Sequence, residues 1–208
     1  MNFIKNSYIG LLSIFNFPYI SENILKDLKG PILLHISDTP VDIYNYIFRI
    51  INILKPMYII HTGDMADNIK LEICKNRIES YQQGVSKLIN GLEKNDFSKI
   101  YYVLGNHDDY KTVSQLTKKG IILKSELLTI DNYNIQVCHE HKEISENVDF
   151  NLYGHSFMPR HYIKGTTIGL NGLLHINIID LSSKKIFQLE YPIGTNRLRC
   201  MELKRIGI

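Results

Sequence analysis

Six side chains that could together hold a metal ion recur at one kind of place in this sequence. Asp38, Asp64, Asn106, His107, His139 and His155 stand in "HISD", "HTGD", "LGNHD", "QVCHEH" and "LYGHS". Each follows an apolar run that reads as a buried strand. Loops that leave the strand ends of an open α/β sheet converge on one crevice, so five strand ends deliver these donors to one place. Carboxylates, an Asn carbonyl and imidazoles, with no thiolate among them, form the mixed oxygen and nitrogen set that suits Mn²⁺, Fe, Zn²⁺ or Ni²⁺. Glycines precede Asp64, Asn106 and His155, and are expected to let the chain turn tightly so that the next side chain points inward. "CHEH" leaves His141 open as an alternative to His139.

The elements that must position these residues follow from apolar spacing. "PILLHIS", "MYIIHT" and "KIYYVL" read as three buried strands. Between the first two, Ile43, Tyr46, Ile47, Ile50 and Leu54 share one helical face, and Pro56 marks the helix end. From about Leu71 to Lys94 a second set, Ile78, Tyr81, Val85, Leu88 and Leu92, predicts one long amphipathic helix. A short helix ending near Gly120 follows. "IILKS", "ELLTI", "YNIQVCH", "DFNLYGH", "HYIKG", "LLHINIID" and "KIFQLEYP" are then closely spaced strand candidates with turn residues between them. Alternating β-α units followed by a β-rich half predict a layered α/β domain, sheets inside and helices outside.

With 208 residues the chain suits one domain, and a formal charge of +3 is too small to imply a nucleic-acid partner. Cys74, Cys138 and Cys200 are widely spaced and outside any CxxC pattern, so reduced thiols and a cytoplasmic location are expected. The early apolar stretch "YIGLLSIFNFPYI" is interrupted by Asn16 and Pro18, and no small-residue cleavage site follows it. It is shorter than a membrane span of about 20 residues. Residues 1–30 are therefore expected as an extension docked on a domain of residues 31–192, with 193–208 a solvated basic tail.

The ordered set of motifs resembles the calcineurin-like metallophosphoesterases, especially their small bacterial and archaeal phosphodiesterase members. The family pattern runs D-x-H, G-D, G-N-H-D/E, a His, then G-H-x-H, and the likeness covers roughly Pro31 to Pro192. It implies a four-layer α/β/β/α sandwich that hydrolyses a phosphoester, with a phosphorylated small-molecule or nucleotide-type substrate. It also implies that Asp64 bridges two divalent ions, that Asn106, His139 and His155 complete the second ion's ligands, and that Asp38 serves the first. His107 would contact the phosphate and protonate the leaving group, with Asp108 orienting it. Two departures concern one ion only: Pro40 stands where D-x-H has its His, and Phe157 where G-H-x-H has its last. One ion is thus expected to be firmly bound and the other weak or absent, unless His141, His161 or Asp67 makes up the number. The alternative expectation is a catalytically reduced member acting as a binding or scaffold protein.

Other histidines have simpler readings. His35 and His61 lie inside apolar strands, where a histidine with satisfied hydrogen bonds is the usual case. Arg160, beside His161, is either a phosphate contact or solvated. Cys138 should face away from His139 by strand alternation.

Overall fold

The computed structural model describes residues 10–13, 15–144 and 147–201. Two sheets stack face to face, flanked by helices, which is the mixed α/β sandwich expected. In the larger sheet β1 (Ile32–Ile36), β2 (Tyr58–His61), β3 (Lys99–Val103) and β4 (Ile121–Leu123) run parallel. On the other side of β1, β10 (Ile176–Asp180) and β11 (Ile186–Leu189) add antiparallel strands, giving the order β11-β10-β1-β2-β3-β4. The smaller sheet has the order β5-β6-β7-β9-β8, from β5 (Glu126–Ile130), β6 (Tyr133–Val137), β7 (Phe150–Tyr153), β8 (Tyr162–Lys164) and β9 (Thr167–Asn171).

Strand alternation divides the core in two. Leu33, Ile60, Val103 and Ile179 point from the larger sheet toward Ile135, Phe150 and Leu170 of the smaller one, forming the layer between sheets. Their sequence neighbours Leu34, Ile36, Ile59, Tyr102 and Ile178 face the other way and meet the helices. Five helices feed that second cluster: α1 (Glu22–Asp27), α2 (Tyr44–Leu54), α3 (Ile78–Glu93), α4 (Tyr110–Leu116) and α5 (Thr195–Leu198). The predicted helical faces are buried at Tyr46, Ile47, Ile50 and Leu54 on α2 and at Tyr81, Val85, Leu88 and Leu92 on α3, but Ile78, expected on the same face, is exposed at the first turn of α3. Each such side chain contributes roughly 1.5–3 kcal/mol on burial. Lys55 ends α2 in the left-handed region, at φ 46°, one residue before Pro56.

Two elements differ from expectation. Instead of beginning near Leu71, α3 starts at Ile78, because residues 66–77 fold into successive tight turns. Ile69 N–H bonds Ala66 O, Ile73 N–H bonds Lys70 O, and Arg77 N–H bonds Cys74 O. These turns bring Lys70 and Glu72 to the cavity wall. The strand β9 is absent from the apolar reading because "TIGLN" is broken by Gly169. A side chain there would strike the Tyr162 ring on neighbouring β8, so the glycine permits that ring to lie against the sheet.

The described part of the expected N-terminal extension sits against α2. Arg49 donates to the carbonyls of Phe15 and Asn16 at 3.1 and 2.6 Å, and its guanidinium lies 3.7 Å from the Phe17 ring centre. Residues 1–9, 14 and 202–208 of the two expected terminal segments lie outside the described residues. No helix among the described residues is long and apolar enough to cross a membrane. All three cysteines are free, and Cys138 turns its sulfur toward Asn151 and Leu152, away from the site.

Candidate metal centre

The parallel strands β1, β2 and β3 end side by side, and their C-terminal loops carry Asp38, Asp64 and Asn106–His107. From the smaller sheet, β6 leads to His139 and β7 to His155. These loops are locked together by backbone bonds: Asp38 N–H to Gly63 O at 2.9 Å, Thr39 N–H to Asp64 O at 3.0 Å, and Gly154 N–H to His139 O at 2.9 Å. Asp38, Asp64 and His155 are themselves left-handed, with φ of 51°, 55° and 67°. Strain of this kind, in non-glycine residues, persists where the surroundings over-determine the conformation. Gly63, before Asp64, is left-handed at φ 100°, as the expected tight turn requires, whereas Gly105 and Gly154 act differently. A side chain at Gly105 would strike the Asp64 carboxylate, and one at Gly154 would strike Ser37 and the Asp38 carboxylate. These two are small to admit those acids, and after Gly154 the left-handed turn falls on His155 itself.

Three donor atoms converge at the centre. Asn106 Oδ1 is 3.0 Å from His139 Nε2 and 3.1 Å from His155 Nδ1, and the two nitrogens are 3.2 Å apart. Asp64 Oδ2 is 3.4 Å from His139 Nε2. Ligands held about 2.1 Å from one ion lie roughly 3.0–3.4 Å from each other, so this spacing fits a shared cation. The donor chemistry, two imidazoles and two oxygens, fits a transition-metal ion. The set fits the divalent ion that the motifs imply.

Charge in the cluster is strongly coupled. Burial works against an imidazolium at His139, but Asp64 and Asp38 outweigh it and raise its pKa to about 10. Burial pushes Asp64 up, yet His139 and His107 bring it down to about 2. Asp38 is raised by burial and by Asp64, against the pull of His139 and Arg199.

His107 and Asn106 are oriented from the loop after β2. Glu72 Oε2 accepts from Asn106 Nδ2 at 2.5 Å, which turns the amide oxygen toward the two imidazoles. The Glu72 backbone N–H points at His107 Nδ1 at 3.4 Å, and the His107 backbone N–H bonds Asp64 Oδ1 at 2.9 Å. Burial lowers the His107 pKa. Asp108 differs from expectation. Its carboxylate accepts from the backbone N–H groups of Asp64, Met65 and Gly105 and from the Tyr81 hydroxyl, at 2.7–2.9 Å, so it clamps two loops rather than the His107 ring.

His139, not His141, enters the cluster. His141 Nε2 meets the Tyr162 hydroxyl at 3.2 Å and its ring packs edge-on to Tyr153 and Tyr162. His161 pairs with His175 at 2.8 Å and takes the Asn171 N–H on its other nitrogen, so it is not brought to Asp38 either. Arg160 is not among the residues around the cavity, and its carbonyl accepts from the Tyr153 hydroxyl. His35 and His61 are fully buried with both nitrogens in hydrogen bonds, to Thr62 and Asn177 and to Thr39 and Gly63.

Asp67 comes close to the centre: one of its oxygens, one of Asp64 and a His107 nitrogen lie within 4.8 Å of one another. One Asp67 oxygen pairs with Lys70 and the other is buried without a partner. Burial and the charges of Asp38 and Asp64 raise its pKa to about 8.

A calcineurin-like phosphoesterase family model matches residues 32–195. The chain belongs to that family. Among solved structures, an archaeal phosphodiesterase aligns at 18% identity over 76% of this chain and 99% of its own, with TM-score 0.54. YfcE, a phosphoesterase from E. coli, aligns at 15% identity over 77% and 99%, with TM-score 0.50. No curated protein matches the sequence. Identity at this level establishes the fold of the calcineurin-like phosphoesterases for this chain.

Against that family fold, the two departures acquire surroundings. Pro40 is buried and starts the turn Val41–Ile43, its carbonyl accepting from Ile43 N–H at 3.1 Å. Phe157 stands in the wall of a cavity of about 800 Å³ that also exposes Asp38, Asp64, Asn106, His107 and His155. Arg199 also reaches this wall, from a segment expected to be solvated. It is 1% exposed and donates to the carbonyls of Asp38, Ser37 and Leu173. Neither Glu72 nor Arg199 carried a motif that sequence spacing could reveal.

Proposed function

We propose that this calcineurin-like phosphoesterase hydrolyses a phosphodiester, in a small-molecule or nucleotide-type substrate, with one firmly held divalent ion. The observation that carries the reading is the convergence of Asn106, His139 and His155 within 3.0–3.2 Å of one another, with Asp64 beside them. These four residues would hold the ion, and Asp38 the weakened first position. Bound there, a divalent cation supplies charge neutralisation for a phosphoryl group and acidity for an attacking water. Asp64 and His139 set the charge of the cluster, and Asn106, fixed by Glu72, sets its geometry. His107, on the cavity wall with Nδ1 facing the Glu72 N–H, offers its other ring nitrogen to the phosphoryl or leaving oxygen.

The test is elemental analysis of the purified protein alongside turnover of an aryl phosphodiester with added Mn²⁺. About one metal per chain is expected, with turnover that His107→Ala lowers by a factor on the order of 10²–10⁴. Absence of metal-dependent, His107-dependent turnover would overturn the reading. Pro40 and Phe157 favour a second one, a binding protein with the family fold, and metal retention without turnover would support it.

A further inference from the structure

Among the described residues two cationic side chains line the cavity, Lys70 and Arg199, and they are held in different ways. Lys70 is neutralised by Asp67. Among the described residues Arg199 donates only to neutral acceptors: Asp38 O at 2.6 Å, Leu173 O at 2.9 Å, Ser37 O at 3.3 Å and Asn196 Oδ1 at 3.0 Å. Its guanidinium lies 4.4 Å from the Tyr191 ring centre. No described carboxylate forms an ion pair with it. The Asp38 carboxylate feels this charge without forming an ion pair with it, and a charge buried this completely is costly unless an anion compensates it. The cavity beside it is where the proposed phosphoryl group would enter, and with these N–H bonds made to the protein the guanidinium acts there through its charge.

We infer that Arg199 supplies, from the Asp38 side of the cavity, the fixed positive charge that a phosphoryl group would otherwise meet in a second cation. The inference rests on the proposed function. It joins three observations at one place: Pro40 offers no donor, Phe157 offers no donor, and a permanent cation is bonded to the backbone of Asp38 itself. The same charge repels a second ion on the Asp38 side, since like charges repel strongly where water does not screen them. The site is then one metal plus one arginine.

The experiment uses full-length protein loaded with Mn²⁺, measuring metal per chain and the affinity for inorganic phosphate by calorimetry. Wild type is expected to hold one Mn²⁺. Arg199→Met should keep that ion and bind phosphate at least tenfold more weakly, and Arg199→Lys should recover part of the loss. Pro40→His with Phe157→His should still hold one ion, and gain a second only when Arg199→Met is added. Unchanged phosphate affinity in Arg199→Met, or two ions in wild type, overturns the inference while leaving the proposed function standing. No ion in wild type overturns the proposed function instead. Should Arg199→Met fail to fold, Arg199→Lys and the ion count of the Pro40→His, Phe157→His protein decide the matter.

Discussion

The Asp108 carboxylate lies 2.7 Å from the backbone nitrogen of Asp64, so the loop after β3 holds the loop after β2 through one acid. With Met65 N–H, Gly105 N–H and the Tyr81 hydroxyl it makes four acceptor contacts. The pKa of Asp108 is raised to about 6, mainly by burial and by Asp64, against these donors. Asp108→Asn replaces one acceptor oxygen with a donor facing N–H groups. We expect a stability loss of about 1–3 kcal/mol and weaker metal binding, measured by denaturant unfolding and Mn²⁺ titration. A variant with wild-type stability and metal affinity would show that the clamp is dispensable.

Glu72 acts through the Asn106 amide. Glu72→Ala frees that amide to rotate, and metal affinity is expected to fall roughly 10- to 100-fold. Glu72→Gln keeps an acceptor for Asn106 Nδ2 and should stay within a few-fold of wild type. Equal behaviour of the two variants in a metal titration would remove Glu72 from the site's geometry.

Gly154 tests the close approach at Asp38. A methyl group there meets Ser37 Oγ and Asp38 Oδ2, so Gly154→Ala must displace the carboxylate or its loop. Overpacking of this kind costs about 1–3 kcal/mol. Turnover should drop by more than the stability change explains, seen as reduced kcat/KM at a temperature where the variant is fully folded.

His35 and His61 give the fold a pH limit. Burial, the largest cause for each, lowers their pKa from 6.5 to about 3. The folded value lies below the unfolded one, so the unfolded chain binds more protons below pH 6.5. Their contribution is complete above pH 6.5 and is lost as pH falls toward 3, at about 1.4 kcal/mol per pH unit for each histidine. Asp67, Asp108 and His139, whose pKa values are raised in the fold, act in the opposite direction over this range, so the histidine contribution is read as a difference. The urea midpoint advantage of chelator-treated wild type over His61→Gln should be smaller at pH 5 than at pH 7.5, and an equal advantage at both would contradict the neutral, hydrogen-bonded state of the ring.

By itself the sequence determined the donor set and where it sits, because both are local properties. An apolar run bounded by a polar turn places Asp38, Asp64 and Asn106 at strand ends whatever surrounds them, and the order of motifs carries the family. The faces of α2 and α3 were legible for the same reason, through a period of about 3.6 residues. Tertiary structure decided what local spacing does not encode. Two residues apart, His139 and His141 are equivalent as letters, and only the Tyr153–Tyr162 pair shows which ring is held elsewhere. Glu72 lies 34 positions from Asn106 and Arg199 lies 161 from Asp38. Contacts of that range are set by how sheets and turns stack, so Pro40 and Phe157 could be read as missing ligands long before Arg199 could be found beside them.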